Sequence, residues 1–122
     1  MVIFDTNAVL RYILQDNLAM ADEVEAILSE QLCFIPTEVI AEMVYVLSGV
    51  YKAERTEISD AISGLLELEN MQSDDMEVVR HALIAYSETK LDFVDCLMIG
   101  YSGIAGNAVF TFDKKLKRHL QK

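Results

Sequence analysis

Short apolar runs in this chain alternate with longer segments whose apolar residues recur every three or four positions. Residues 2–4, 32–35 and 108–112 are compact apolar runs that predict buried strands, and the weaker run 70–73 predicts an edge strand. The segments between them have helical periodicity. The order of strand, two helices, strand and helix favours a parallel sheet with right-handed crossovers, which is an α/β fold.

The predicted helices are bounded by recognisable start and stop signals, such as Pro36 before the third helix and Gly106 after the sixth. They are expected at residues 8–14, 18–30, 38–50, 56–68, 77–88, 92–104 and 114–121. A chain of 122 residues has room for one core, so residues 1–122 are predicted to form a single domain.

The amino-acid composition excludes a disordered protein and a membrane-spanning segment. Apolar residues make up 52% of the chain, too many for a disordered protein, yet no apolar run is long enough to span a membrane. The first strand begins at once, so no signal peptide is expected and the cytoplasm is the predicted location. Cys33 and Cys96 lie far apart in apolar segments and are interpreted as buried, reduced thiols.

Charge is distributed unevenly along the chain. The net charge is −10, yet residues 114–122 contain five bases and no acid. An acidic body disfavours nonspecific binding to nucleic acid and suits divalent cations or a basic partner. The cationic end could bind a phosphate backbone, or it could simply complement the dipole of its own helix.

Asp5 and Asp113 each follow an apolar run that predicts a strand. In open α/β sheets, ligands bind at the carboxyl ends of the strands, where both acids are expected. Either residue could also serve only as the N-cap of the helix that follows, and for Asp5 the two readings are equally supported by the local sequence.

Two further acids lie within very apolar helical segments. Glu42 is flanked by Ile40, Ala41, Met43 and Val44, with no basic residue within one helical turn. Such a carboxylate needs a partner unless it lies on a thin solvated strip of its helix. In the stretch 91–99, Asp92 fits an N-cap, whereas Asp95 is surrounded by apolar residues and is harder to explain in that way.

Four acids at one sheet edge would repel one another. At about 5 Å and an effective dielectric constant near 20, each like-charge pair costs roughly 3 kcal/mol. Protons or a divalent cation must compensate that repulsion, and oxygen ligands favour Mg²⁺ or Mn²⁺. Carboxylate sites of this type commonly serve phosphoryl chemistry. Glycine-rich phosphate-binding and nucleophile-elbow motifs are absent from the sequence.

The order of these motifs resembles that of PIN domains, and most closely VapC-like toxins of bacterial or archaeal toxin–antitoxin pairs. The residues that carry the resemblance are Asp5-Thr6-Asn7, Glu42 within 40–47, Asp92 to Leu97, and Thr111-Phe112-Asp113. The resemblance covers essentially the whole chain. It implies a three-layer fold with a central parallel sheet of four or five short strands between helices.

The same resemblance implies a metal-dependent endoribonuclease, usually homodimeric and inhibited by a cognate antitoxin. Asp5, Glu42, Asp95 and Asp113 would be the catalytic, metal-holding residues, with Mg²⁺ or Mn²⁺ as cofactor. Thr6, Asn7, Asp92 and Thr111 would support them through hydrogen bonds. Because the body is acidic, RNA contacts are expected at Arg11, Lys114, Lys115, Lys117 and Arg118.

Three other functions remain open at this point. A receiver domain would place its acceptor Asp after a middle strand, whereas here the acids follow the first and last predicted strands. A metal-dependent phosphatase of the dehalogenase type would have Asp-x-Asp after the first strand, where this chain has Asp5-Thr6-Asn7. A non-catalytic PIN-like interaction module would have no need of all four acids.

A homodimer is also expected from the apolar surface that the helices present. The segment 39–50, together with Leu65, Leu66 and Leu68, offers more apolar surface than one sheet face can cover. Exposed apolar area of this kind usually marks an interface, so we predict a two-fold dimer and a separate groove for an antitoxin. Charge repulsion among the four acids also predicts a raised pKa for at least one of them in the metal-free protein.

Overall fold

The computed structural model describes residues 1–120, and its helices lie close to where the sequence predicts them. The elements are β1 (Val2–Ile3), α1 (Thr6–Leu14), α2 (Leu18–Glu30), β2 (Cys33–Phe34), α3 (Thr37–Gly49), α4 (Arg55–Leu66), β3 (Met71–Gln72), α5 (Met76–Glu88), α6 (Phe93–Gly103) and α7 (Lys114–Leu120). The predicted last helix extends to Gln121, which lies outside the described residues.

The sheet is parallel, with strand order β1-β2-β3, so the predicted α/β class is confirmed. Val2 pairs with Cys33, and Cys33 pairs with Met71 on its other side. β3 is an edge strand, as expected. Within residues 1–120 the sheet has three strands, and the prediction of four or five is wrong.

The missing strand is the apolar run 108–112, which forms no strand in the structure. Phe110 and Phe112 are each 84% exposed, and their rings pack on each other edge to face, 5.1 Å apart. An apolar run can predict an extended conformation, but it does not specify whether a neighbouring strand is there to pair with it.

The core lies between the sheet and the helices, with α5 packed against α4 and α6. Its largest fully buried side chains include Phe93, Ile35, Ile40 and Met43. Leu65 and Leu66 also belong to it, so the expectation that they add to an exposed apolar surface is wrong. Cys33 and Cys96 are free, buried thiols, as predicted.

α6 lies close to α5 at Gly100. A Cβ atom at this position would lie 2.7 Å from the carbonyl oxygen of Val78 in α5. α6 therefore packs against α5 at a distance that only glycine permits. In the part of the chain that is described, no helix has the length and apolar character needed to cross a bilayer.

Candidate active site

Asp5 lies two residues after the end of β1 and caps α1. Its Oδ1 atom accepts a hydrogen bond of 2.9 Å from the backbone N–H of Ala8, so Asp5 does act as an N-cap, and its second carboxylate oxygen makes no hydrogen bond within residues 1–120. The next residue connects this strand end to α3, because the Thr6 hydroxyl donates to Oε1 of Glu42. The cap and the hydrogen bond bring Asp5 and Glu42 to the same region at the carboxyl end of the sheet.

Glu42 faces solvent, although its sequence neighbours are apolar. Ile40, Met43 and Val44 are buried, and they point towards the core on the other side of α3. Successive residues of a helix are about 100° apart, so apolar neighbours in sequence do not bury a side chain. Of the two alternatives for Glu42, the solvated strip of α3 is the one that the structure shows, and the Thr6 hydroxyl is its hydrogen-bond partner.

Asp95 is half-buried in the first turn of α6, and its pKa is raised above the ordinary range for aspartate. Burial is the largest cause, followed by the negative charges of Asp113 and Asp92. A raised pKa for at least one of the acids is thus confirmed. Asp92 occupies the N-cap position of α6, but its side chain makes no capping hydrogen bond.

Asp113 precedes α7, and its Oδ1 atom accepts a hydrogen bond of 2.9 Å from the backbone N–H of Leu116. Its own N–H donates to the Thr111 hydroxyl over 3.0 Å. Asp113 therefore follows a segment that is not a strand. Its negative charge nevertheless contributes to the raised pKa of Asp95. Asn7 lies exposed in the first turn of α1.

The four acids fall into two pairs, Asp5 with Glu42 through Thr6, and Asp95 with Asp113 through their charges. Within residues 1–120, no group of three or more His, Cys, Asp or Glu side chains lies close enough together to hold a metal ion. The oxygen donors are of the type that Mg²⁺ and Mn²⁺ prefer, but this arrangement of side chains does not by itself form a coordination sphere.

The residues expected to contact RNA fall into two groups. Arg11 is held by the protein, since its Nη1 atom pairs with Asp16 at 2.9 Å and its Nη2 atom donates to the Tyr51 hydroxyl. The other expected residues lie exposed on α7, and none of them forms an ion pair within the described part of the chain. They are Lys114, Lys115, Lys117 and Arg118.

A family model of the PIN domain matches residues 2–119. The chain belongs to the PIN-domain family. It is also 38% identical over 64 residues to a VapC ribonuclease of Aquifex aeolicus (strain VF5), an alignment covering 52% of this chain and 47% of the relative. The chain thus aligns with about half the length of that relative. No solved structure matches it.

Arg55 of this PIN domain holds the segment between α5 and α6, a role that no local sequence pattern indicates. Its Nε atom donates to the carbonyl oxygen of Tyr86 over 2.7 Å, and its Nη2 atom donates to that of Leu91. Its guanidinium group also lies 3.7 Å from the centre of the Tyr86 ring. Because Leu91 directly precedes Asp92, Arg55 fixes the segment that leads into the acidic start of α6.

Asp74 is a second residue whose role the sequence did not reveal. Its neighbour Asp75 caps α5, because its side chain accepts a hydrogen bond from the backbone N–H of Val78. Asp74 instead accepts hydrogen bonds of 2.9 Å from both the N–H and the hydroxyl of Thr37. The Asp74 carboxylate therefore accepts the first free backbone N–H of α3, the helix that carries Glu42.

Proposed function

We propose that this PIN domain is a metal-dependent endoribonuclease that hydrolyses RNA phosphodiester bonds, as the toxin of a toxin–antitoxin pair. Residues 1–122 would act as one nuclease unit. The observation that carries the proposal is the electrostatic contact of Asp95 with Asp113 and Asp92 in a chain of this family. A half-buried carboxylate that two exposed carboxylates repel is in an environment that favours a bound cation.

In this proposal Asp5, Glu42, Asp95 and Asp113 hold Mg²⁺ or Mn²⁺. A bound divalent ion would neutralise the acids and activate water for attack on phosphorus. The side chains would have to move closer together than in the described arrangement. One hydrogen bond to a proposed ligand supports this, from the Thr6 hydroxyl to the Glu42 carboxylate, whereas the Thr111 hydroxyl accepts from the backbone N–H of Asp113. Asn7 and Asp92 would support the acids only after the same movement.

The proposed partners are an RNA substrate, a cognate antitoxin and a second copy of the chain. The exposed cations of α7 begin directly after Asp113, so an RNA strand bound along α7 would pass the proposed catalytic acids. Arg11 would contribute to RNA binding only after release from Asp16 and Tyr51. The cytoplasm remains the proposed location.

The test is cleavage of a panel of structured RNAs with Mg²⁺, Mn²⁺ or EDTA, using two substitutions of Asp5. Asp5→Asn removes the charge and keeps an N-cap, whereas Asp5→Ala removes both. We expect both variants to lose cleavage, and only Asp5→Ala to lose about 1 kcal/mol of stability. A folded Asp5→Asn protein that cleaves as fast as the wild type would refute the proposed site.

The second candidate function is a non-catalytic interaction module of the same family. It is favoured by one observation, the absence of a group of three metal-binding side chains within residues 1–120. Isothermal titration with Mn²⁺ separates the two candidates. Binding that Asp95→Asn abolishes supports the nuclease, and no binding at millimolar Mn²⁺, with no cleavage of any RNA, supports the module.

A further inference from the structure

An open cavity of about 520 Å³ lies between α3 and α6, beside the proposed catalytic acids. Its walls combine apolar side chains with carboxylates, and they include Glu38, Ala41, Glu42, Tyr45, Val94 and Leu97. The volume falls within the range of small-molecule sites, about 300–1,000 Å³. Tyr45 and Val94 are 50% and 43% exposed, so an aromatic ring and an aliphatic side chain are both open to a ligand.

One face of α3 carries the groups that could recognise such a ligand. Glu38, Glu42 and Tyr45 are separated by four and three positions, so their side chains lie along the same side of the helix. Glu42 is one of the four proposed catalytic acids. A ligand group in this cavity would therefore lie next to the proposed reaction site.

The charges of the cavity restrict what can bind there. Its walls include two carboxylates and no cation, so a phosphate group would be repelled. The cavity therefore offers an aromatic ring and carboxylate acceptors. A flat, uncharged ring with N–H donors at its edge fits both, since the ring can stack on Tyr45 and the donors can face a carboxylate. Among the RNA bases, guanine alone presents two adjacent N–H donors on one edge, and these match the two oxygens of a carboxylate.

We infer that the α3–α6 cavity binds an unpaired guanine of the RNA substrate, with the base stacked on Tyr45 and its N1–H and N2–H donated to Glu38. This inference rests on the proposed function and adds a base preference to it. Glu38 is exposed and forms no ion pair or side-chain hydrogen bond within residues 1–120, so its carboxylate is available. The phosphates on either side of the guanine remain outside the cavity.

The experiment measures binding of fluorescent oligouridines that carry one central guanosine, inosine, adenosine or uridine. Binding is followed by anisotropy in EDTA, where no metal-dependent cleavage occurs, and cleavage is followed separately with Mn²⁺. Inosine lacks the N2 amino group and tests one of the two donors alone. We expect guanosine to bind at least fivefold more tightly than inosine, because a good bidentate contact discriminates by roughly 1–3 kcal/mol.

Substitutions assign the effect to each side chain. Tyr45→Ala should weaken binding of the guanosine oligomer about tenfold, whereas Tyr45→Phe, which keeps the ring, should bind like the wild type. Glu38→Gln replaces one acceptor oxygen by a donor and should remove the preference for guanosine over inosine. Val50→Ala, an exposed position at the end of α3, and Glu25→Gln, an exposed acid of α2, are matched controls that should change neither.

The outcomes separate this inference from the proposed function. Equal binding of guanosine and inosine oligomers, or a Tyr45→Ala protein that binds like the wild type, overturns the inference, and continued Mn²⁺-dependent cleavage would then leave the nuclease proposal standing. A guanosine preference that needs Tyr45 and Glu38, without any cleavage, supports the inference and refutes the nuclease. Dissociation of a dimer by Tyr45→Ala, with unchanged RNA binding, would identify a protein interface and overturn the inference.

Discussion

The ionisation of Asp95 depends on the fold. Burial, Asp113 and Asp92 raise its pKa, so the folded protein keeps this proton to a higher pH than the unfolded chain does. The free energy of unfolding therefore falls as pH rises from about 3.9, the ordinary value, through the raised pKa. Above the raised pKa the destabilisation is present in full.

Removing this charge should stabilise the metal-free protein. We expect Asp95→Asn to melt several degrees higher than the wild type at pH 7 in EDTA, and to differ little at pH 3, where the carboxyl is protonated in both states. Glu25→Gln, at an exposed position of α2, should have no such effect. Thermal melting at the two pH values checks this, and a lower melting temperature for Asp95→Asn at pH 7 would contradict it.

Arg55 should contribute more stability than any exposed ion pair. Arg55→Ala removes the hydrogen bonds to Tyr86 and Leu91 and the stacking on the Tyr86 ring. We expect a loss of about 3 kcal/mol in urea unfolding. Arg80→Ala breaks only an exposed pair with Glu77 and should cost less than about 0.5 kcal/mol. Equal losses of unfolding free energy for the two variants would show that the contacts of Arg55 stabilise the protein no more than an exposed ion pair does.

At the scale of single elements, helices followed their sequence signals closely. The predicted helix 18–30 coincides with α2, and the signals that define it all act within four residues along the chain. Start positions were less accurate. The fourth helix was expected to begin at 56, whereas α4 begins at Arg55, with Glu54 as its cap in a reciprocal arrangement with Glu57.

The close contact between α5 and α6 at Gly100 can be tested by comparing two glycine-to-alanine substitutions. Gly100→Ala would place a Cβ atom 2.7 Å from the Val78 carbonyl oxygen, and we expect it to destabilise the protein by about 1–3 kcal/mol. Gly64→Ala, in an open position of α4, should stabilise it by up to about 1 kcal/mol. Urea unfolding of both variants measures the difference. A stabilised Gly100→Ala protein would mean that the two helices separate easily.

The cationic helix α7 has two interpretations that salt dependence can separate. If its exposed cations contact phosphates, changing Lys114, Lys115, Lys117 and Arg118 together to Gln should lower the log–log salt slope of single-stranded RNA binding by up to about 3. Anisotropy at several salt concentrations gives the slope. An unchanged slope would mean that these residues only complement the end of their own helix.

At the scale of the whole molecule, apolar surface remains uncovered where a fourth strand was expected. Phe110 and Phe112 are the most exposed large apolar residues in the described part of the chain, and Ile3 of β1 is 65% exposed. The sequence assigned the exposed apolar surface to 39–50 with Leu65, Leu66 and Leu68; of these Tyr45, Val50 and Leu68 are exposed, whereas Leu65 and Leu66 are buried. Exposed apolar area of this kind favours association.

We therefore predict a homodimer that depends on these two aromatic rings. Light scattering at micromolar concentration should give the mass of two chains for the wild type and of one chain for the double variant Phe110→Ser and Phe112→Ser. Ile84→Ser, at an exposed position of α5, is the control and should remain dimeric. A monomeric wild-type protein would refute the dimer.

The sequence by itself determined the α/β class, the order of the helices and of the three strands that form, and the positions of Asp5 and Asp95 at helix starts. These features depend on periodicity and caps, which act over a few neighbouring residues. The tertiary structure alone decided that 108–112 pairs with no strand, that Glu42 faces solvent and that Arg55 holds the segment before Asp92. Each of these depends on groups that are distant in sequence, and local patterns carry no information about such partners.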